Sequence, residues 1–179
     1  MKRNKTILVM ALAISFSAAL TSCSNAQVND QETSIELSVS STEMSKEQAQ
    51  KALLAYMEIK QALVQTNAEL ASTEALKLVA VLSESIDELA GKIRLDAERI
   101  AETKDAELQR DHFNTLSENI YAMVKVTGAN TEDVYRQYCP MAFDNEGAYW
   151  LSSEKEVNNP YFGNMMLHCG SVKETIKGK

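Results

Sequence analysis

The absence of proline from the middle of the chain limits what this sequence can fold into more than any other feature does. Both prolines, Pro140 and Pro160, lie in the last quarter, and none interrupts residues 45–128. Proline breaks helices because it lacks an amide hydrogen and clashes with the preceding turn. Apolar side chains recur there every three or four positions, the spacing of one buried helix face. We therefore predict consecutive amphipathic helices.

Helix start and stop residues divide this region into four predicted helices. Ser45 with Gln48 three residues later fits a capping box and opens the first helix. Asn67 ends that helix and caps the second, which Gly91 interrupts or ends. The third and fourth helices are predicted at Ile93 to about Ile100 and at about Asp105–Thr127, with Gly128 ending the last.

Four amphipathic helices with short connections predict a mainly α fold, an antiparallel four-helix bundle. After Gly128 the pattern changes, because EDVYRQYC and AYWL favour strands and DNEG between them favours a turn. The stretch NMMLHCG predicts a helical turn closed by Gly170. We predict a single domain over residues 45–176, with a small C-terminal β-hairpin and helix cap that starts at about residue 129.

The N-terminal residues have the pattern of a bacterial lipoprotein signal. Three cations precede an apolar stretch at residues 7–20, and the following LTSC resembles a lipobox. Cleavage before Cys23 leaves a thiol that carries diacylglycerol and an amine that carries a further acyl chain. Each buried methylene contributes about 0.8 kcal/mol, so several chains anchor a protein firmly. We predict a signal peptide at residues 1–22 and a lipid anchor with a flexible tether at residues 23–44; a secretory signal with a chance cysteine is the alternative.

The residue after Cys23 and the net charge of the remaining chain bear on the predicted location in the cell envelope. Ser24 is not the aspartate associated with retention in the inner membrane, so the sequence favours the outer membrane, with the domain facing the periplasm or the cell surface. Without the three signal-peptide cations, 15 of the 18 Lys and Arg remain against 25 Asp and Glu, a net charge near −10. An acidic surface argues against nucleic acid as a partner, because phosphates require basic side chains.

Sulfur-bearing residues are concentrated in the predicted cap. On an extended strand, Cys139 and Met141 share one face because side chains alternate. On a helical turn, Met165 and Cys169 share a face, and Met166 also lies within reach. Thiolate and thioether donors suit Cu(I), whereas zinc would require more cysteine or histidine. The sequence therefore offers a candidate copper site built from two pairs of sulfur ligands.

The two histidines and the state of the thiols leave alternatives open. His112 or His168 would complete the metal site, and His112 lies on the apolar face of the fourth helix, which we expect to meet the cap. Cys139 and Cys169 would instead form a disulfide in an oxidising compartment, or remain unpaired buried thiols. The methionines also fit as core residues.

Three long stretches resemble an uncharacterised bacterial domain family: QRDHFNTLSENIYAMVK, QYCPMAFDNEGAYWLS and EVNNPYFGNMMLHCG. The resemblance covers roughly Ala49 to Val172. That family occurs as small lipoproteins and as an appendage on periplasmic adaptor subunits of copper and silver efflux systems. The resemblance implies a heavy-metal efflux adaptor as a partner. It does not supply an established activity. The residues Tyr138–Phe143 also resemble a Tyr-x-Cys-Pro-Met-His-Pro motif of copper-transport modules, with Ala142 and Phe143 in place of His and Pro.

No enzymatic motif accompanies these features. Two scattered histidines provide no Ser-His-Asp signature, and the chain has no CxxC pair, phosphate loop or dinucleotide fingerprint. We therefore predict a protein without enzymatic activity: a copper-binding or efflux-accessory lipoprotein. The alternative is a disulfide-closed protein-interaction module of the envelope.

Overall fold

The computed structural model describes residues 44–179, where four long helices precede a three-stranded sheet. The predicted signal peptide, lipidated Cys23 and tether lie outside the described residues. The helices are α1 (Lys46–Val64), α2 (Ala68–Val81), α3 (Glu88–Glu102) and α4 (Ala106–Thr127). The strands are β1 (Val134–Cys139), β2 (Ala148–Ser152) and β3 (Ser171–Ile176). The chain is thus mainly helical with a small C-terminal sheet, as predicted.

Most of the predicted helix ends are confirmed. Ser45 Oγ accepts a hydrogen bond from the Gln48 amide at 3.1 Å, and the Asn67 side chain caps α2. Gly128 ends α4 with a positive φ of 60°, which glycine adopts without strain. Only half of the predicted capping box forms, because the Gln48 side chain donates to the Val81 carbonyl at 3.0 Å. Gln48 therefore links α1 to the end of α2.

The predicted break near Gly91 is wrong. Gly91 lies inside α3, and the break comes earlier, between α2 and α3. Asp87 starts α3 because its side chain accepts a hydrogen bond from the Ala90 amide at 2.9 Å. Ile86 continues the apolar spacing of α2, which predicts a buried position, but its side chain is 74% exposed in the connection. A capping aspartate thus determines the helix start more strongly than the apolar spacing does.

The helices bury a repetitive aliphatic core. Each helix contacts the next along the chain, and α4 also contacts α1. The fully buried side chains are mostly alanine, leucine and isoleucine, and they include Ile59, Leu63, Leu78, Ile93, Ile100, Leu116 and Ile120. We call α1–α4 the helical body. No described helix combines the length and hydropathy needed to cross a membrane.

Residues 134–176, which we call the cap, contain a sheet with β1 in the middle. β1 pairs antiparallel with β2, which confirms the predicted hairpin. β1 also pairs antiparallel with β3, from Val134 opposite Ile176 to Tyr138 opposite Ser171. The sequence did not predict this third strand. It extends the hairpin into a three-stranded sheet and returns the chain alongside β1.

An aromatic row joins the cap to the helical body. Tyr56 and Phe113 stack with ring centroids 5.1 Å apart, and Phe113 also packs against Tyr161 at 5.9 Å. Tyr161 meets the edge of Trp150 at 5.9 Å. The Tyr56 hydroxyl accepts a hydrogen bond from the Leu151 amide at 3.0 Å. The buried face of the sheet is thereby fixed to α1 and α4.

A cation also fastens β1 to α4. The Arg136 guanidinium lies between the rings of Tyr121 and Tyr149, 4.0 Å from each centroid. It donates two hydrogen bonds, of 2.9 and 2.8 Å, to the carboxylate of Glu118. Stacking between two rings favours the planar guanidinium of arginine over the ammonium of lysine. Arg136 is therefore occupied by structural contacts.

Candidate functional site

The cap brings its two cysteines together. Cys139 Sγ and Cys169 Sγ are 3.0 Å apart, and both thiols are free. Cys139 is fully buried at the end of β1, whereas Cys169 is partly accessible in the segment before β3. The sulfurs are further apart than the roughly 2.05 Å of a disulfide bond. The two thiols form the candidate site.

Strand pairing explains why residues thirty positions apart meet. β1 ends at Cys139 because the next residue, Pro140, has no amide hydrogen for a strand ladder. β3 begins opposite that end, where Ser171 pairs with Tyr138. Cys169 lies two residues before Ser171 and therefore arrives beside Cys139. The unpredicted strand β3 is thus the element that assembles the site.

The side chain of Asn159 holds the segment that carries Cys169. Asn159 is fully buried, and its Nδ2 donates to the Cys169 carbonyl at 2.7 Å. Its Oδ1 accepts from the amides of Tyr161 and Phe162 at 2.8 and 3.2 Å. One amide group therefore ties the middle of the connection between β2 and β3 to the end that carries Cys169. Sequence reasoning did not identify it.

Gly170 permits the close approach of the two backbone segments. Its φ is +146°, a conformation that side chains rarely adopt. A Cβ there would lie 2.9 Å from the Tyr138 carbonyl oxygen and 3.0 Å from a ring carbon of Trp150. The residue after Cys169 therefore has to be glycine for Cys169 to reach its position beside β1.

The two histidines lie in different surroundings. His168 Nδ1 donates a hydrogen bond to the Val157 carbonyl oxygen at 2.8 Å, which leaves Nε2 as the ring nitrogen for another partner. Metal-binding histidines commonly donate their other ring hydrogen to a carbonyl in this way. His112 lies on the side of α4 that faces α3. It is close enough to Asp96 to oppose the rise in that carboxyl's pKa, which burial causes. The expectation that His112 meets the cap is therefore wrong.

The pairing of Met141 with Cys139 along a strand is wrong. The strand stops at Cys139, and Met141 has φ −96° and ψ −8°, a turn conformation. Its side chain is 48% exposed. Alternation between strand faces therefore does not direct the Met141 sulfur toward the two thiols.

The helical turn predicted across Met165, Met166 and Cys169 is also wrong. A short 3-10 turn covers only Gly163–Met165, and Met166 leaves it with a φ of −145°. Met165 is 76% exposed and borders a small cavity with Phe162, whereas Met166 is partly buried. The spacing of four residues therefore does not place Met165 on one helical face with Cys169.

The Cys139 side chain changes the ionisation of the Cys169 thiol. The hydrogen bond with Cys139 raises the pKa of the Cys169 thiol to about 11, and desolvation adds to this effect. Within residues 44–179, no group of three or more His, Cys, Asp or Glu side chains could hold a metal ion. The donors that the structure brings together are thus the two sulfurs.

Comparison with known proteins finds one family match, which lies mostly in the helical part of the chain. Residues 52–132 match a family described as Protein of unknown function (DUF3347). This part of the chain is therefore similar to that family. The match ends just before β1, so both cysteines lie outside it. The comparisons with curated proteins and with solved structures each found no match.

Proposed function

We propose that this protein is an envelope lipoprotein that binds a soft metal ion, Cu(I), through Cys139 and Cys169. It would buffer the ion or transfer it to the adaptor subunit of a heavy-metal efflux system. The observation that carries the proposal is the 3.0 Å separation of the two free sulfurs. The lipobox-like LTSC and the family resemblance support the location and the partner.

The chemistry of the two sulfurs favours a soft monovalent ion. Thiolates are soft donors that select Cu(I), whereas structural zinc sites use four Cys or His ligands. A bound ion would displace both thiol protons. The free energy of metal binding would therefore offset the cost of deprotonating Cys169, whose pKa is raised. His168 Nε2, Met141 and Met166 are the further donors that this part of the chain offers. His112, beside α3, is not part of the proposed site.

The proposed arrangement of the whole molecule is a lipid anchor, a tether and an antiparallel four-helix bundle that supports the cap. The order of helix contacts, α1 with α2, α2 with α3, α3 with α4 and α4 with α1, supports the bundle. The bundle would hold β2 through the aromatic row and leave the Cys169 segment facing outward. Cys23 would fix the molecule to the outer membrane.

A second candidate function rests on the same pair of sulfurs. Two thiols 3.0 Å apart in an oxidising compartment are close to the geometry of a disulfide. Closed in this way, the cap would be a rigid module without enzymatic activity, and the acidic surface would contact another envelope protein. This alternative predicts that protein isolated without reductant contains no free thiol.

Competition for Cu(I) tests the first proposal. The lipidated chain is extracted from membranes in detergent, reduced, and mixed with a chromophoric Cu(I) chelator. We expect the protein to withdraw one Cu(I) per chain, and Cys139→Ala and Cys169→Ala each to weaken binding by roughly 100-fold or more. If the chelator keeps all the copper from the reduced protein, the proposal is wrong.

Thioether variants show which methionine contributes. Met141→Leu is compared with Met123→Leu, because Met123 is fully buried in α4 and lines a cavity with Asp87 and Leu89. We expect Met123→Leu to leave the competition unchanged. A loss with Met141→Leu alone would assign a third ligand in the cap.

A further inference from the structure

We infer that Cys169 is the site at which an external disulfide reacts, that Cys139 resolves the resulting mixed disulfide, and that this exchange closes the metal site. The inference rests on the proposed function only for its consequence, the loss of Cu(I). It makes disulfide and metal two alternating states of one pair of thiols, with a fixed order of reaction.

Unequal access to the two sulfurs determines the order. Cys139 has no solvent-exposed surface, whereas Cys169 is partly accessible. Thiol–disulfide exchange requires direct contact between the attacking and the attacked sulfur. An external disulfide can therefore approach Cys169 but not Cys139.

The short distance between the sulfurs makes the second step intramolecular. Cys139 Sγ lies 3.0 Å from Cys169 Sγ, within the range of a near-attack arrangement. The Cys169 segment is held there by the Asn159 hydrogen bond to its carbonyl, and the Gly170 backbone packs against Tyr138. No large backbone movement is needed before Cys139 attacks.

The exchange balances with a disulfide as the oxidant. Cys169 sulfur attacks one sulfur of R–S–S–R, a Cys169–S–S–R bond forms, and the first R–SH leaves with the Cys169 proton. Cys139 sulfur then attacks the Cys169 sulfur, the Cys139–Cys169 bond forms, and the second R–SH leaves with the Cys139 proton. The pair loses two electrons, and the external disulfide is reduced to two thiols.

Closing the disulfide removes both metal donors at once. Thiolates bind soft metals, whereas the sulfurs of a disulfide are no longer thiolates. The two cysteines would therefore bind Cu(I) when reduced. When oxidised, they would release a bound ion and would not bind a new one. A bound ion would in turn protect both sulfurs from exchange.

Reaction with glutathione disulfide tests the order. The full lipidated chain is reduced in detergent, mixed with glutathione disulfide, quenched with acid at intervals and mapped by mass spectrometry. We expect Cys139→Ala to accumulate one stable glutathione adduct on Cys169. We expect Cys139 in Cys169→Ala to react at least roughly tenfold more slowly than Cys169 in Cys139→Ala. Wild type should pass through a transient adduct on Cys169 and end as the internal disulfide.

The wild-type time course keeps the test decisive if a cysteine variant does not fold. A first adduct on Cys139, or equal rates at the two cysteines, would overturn the inference. Equal Cu(I) affinity of the reduced and oxidised chains would overturn the claim that the disulfide prevents metal binding. If the exchange proceeds as expected while the reduced chain binds no Cu(I), the proposed function fails and the order of reaction stands.

Discussion

The helical body and the cap reach stability in different ways. The body buries many similar aliphatic side chains, so each contributes to one shared core. The cap depends on a few individual contacts, such as the Asn159 amide at Cys169 and the missing side chain at Gly170. The family match covers most of the body, from residue 52, and stops before the cap. The difference implies that some substitutions will lower the stability of the fold without changing metal binding at the thiols, and that others will do the reverse.

A cavity in the body should produce the largest loss of stability. Leu78 is fully buried, and Leu→Ala changes in cores cost about 2–5 kcal/mol. We expect Leu78→Ala to lower the free energy of unfolding by about 3 kcal/mol in urea titrations. Below the unfolding transition it should leave the Cu(I) competition of the reduced chain unchanged. A large loss of copper affinity in the folded variant would remove the separation between body and cap.

Asn159→Asp should have the reverse pattern, with a smaller effect on stability and a larger one on the site. The substitution keeps the acceptor for Tyr161 and Phe162 but places a carboxylate oxygen against the Cys169 carbonyl. We expect a loss of about 1–3 kcal/mol in stability. We expect a roughly 10-fold or greater loss of Cu(I) affinity, as for other residues that orient ligands.

The neighbouring Asn158→Asp is the matched control. The Asn158 side chain makes only a long, exposed contact of 3.4 Å with Glu154. Both its stability and its copper affinity should remain close to wild type. Equal effects of the two substitutions would mean that charge in this loop, rather than the support of Cys169, is responsible.

Asp96→Asn should stabilise the body. Burial raises the pKa of the Asp96 carboxyl above its ordinary value of 3.8, so the folded state favours the uncharged form. Stability is therefore lost as the pH rises through the raised pKa, and asparagine avoids this loss while retaining a partner in Asn119. We expect about 1 kcal/mol greater stability at pH 7. The gain should vanish as the pH falls below about 3.8; a constant gain would contradict this cause.

The smallest effect is expected at the surface of α1. Lys51 pairs with Glu47 at 2.7 Å, and both side chains are largely exposed. Such pairs contribute little because water and salt screen them. Lys51→Ala should change the unfolding free energy by less than about 0.5 kcal/mol and leave the copper competition unaltered. A larger change would show that the body also depends on individual contacts.

The sequence predicts the body well because its signals are local. Caps at Ser45 and Asn67 and the glycine at Gly128 act within one helical turn, so a short stretch is sufficient to identify them. Apolar spacing alone predicts the α2–α3 connection too late along the chain, because the capping Asp87 sets the start of α3. Both observations agree with the physical rule that helix ends follow from nearby side chains.

The site is less predictable because distant parts of the chain build it. The cysteines are obvious as candidates, but the strand SVKETI that aligns Cys169 with Cys139 contributes few apolar residues and follows a loop. Its β-branched Val172 and Ile176 are the signal that would have indicated a strand. Asn159 gives no signal of this kind, since its three hydrogen bonds involve backbone groups that only the fold brings together.

The most direct test of the central claim is X-ray absorption at the copper edge of the Cu(I)-loaded, reduced chain. The account predicts a first shell dominated by two sulfur ligands that is lost in both Cys139→Ala and Cys169→Ala. A shell of nitrogen and oxygen alone, or a sulfur shell unchanged in these variants, would contradict the assignment of the two thiols as the metal site.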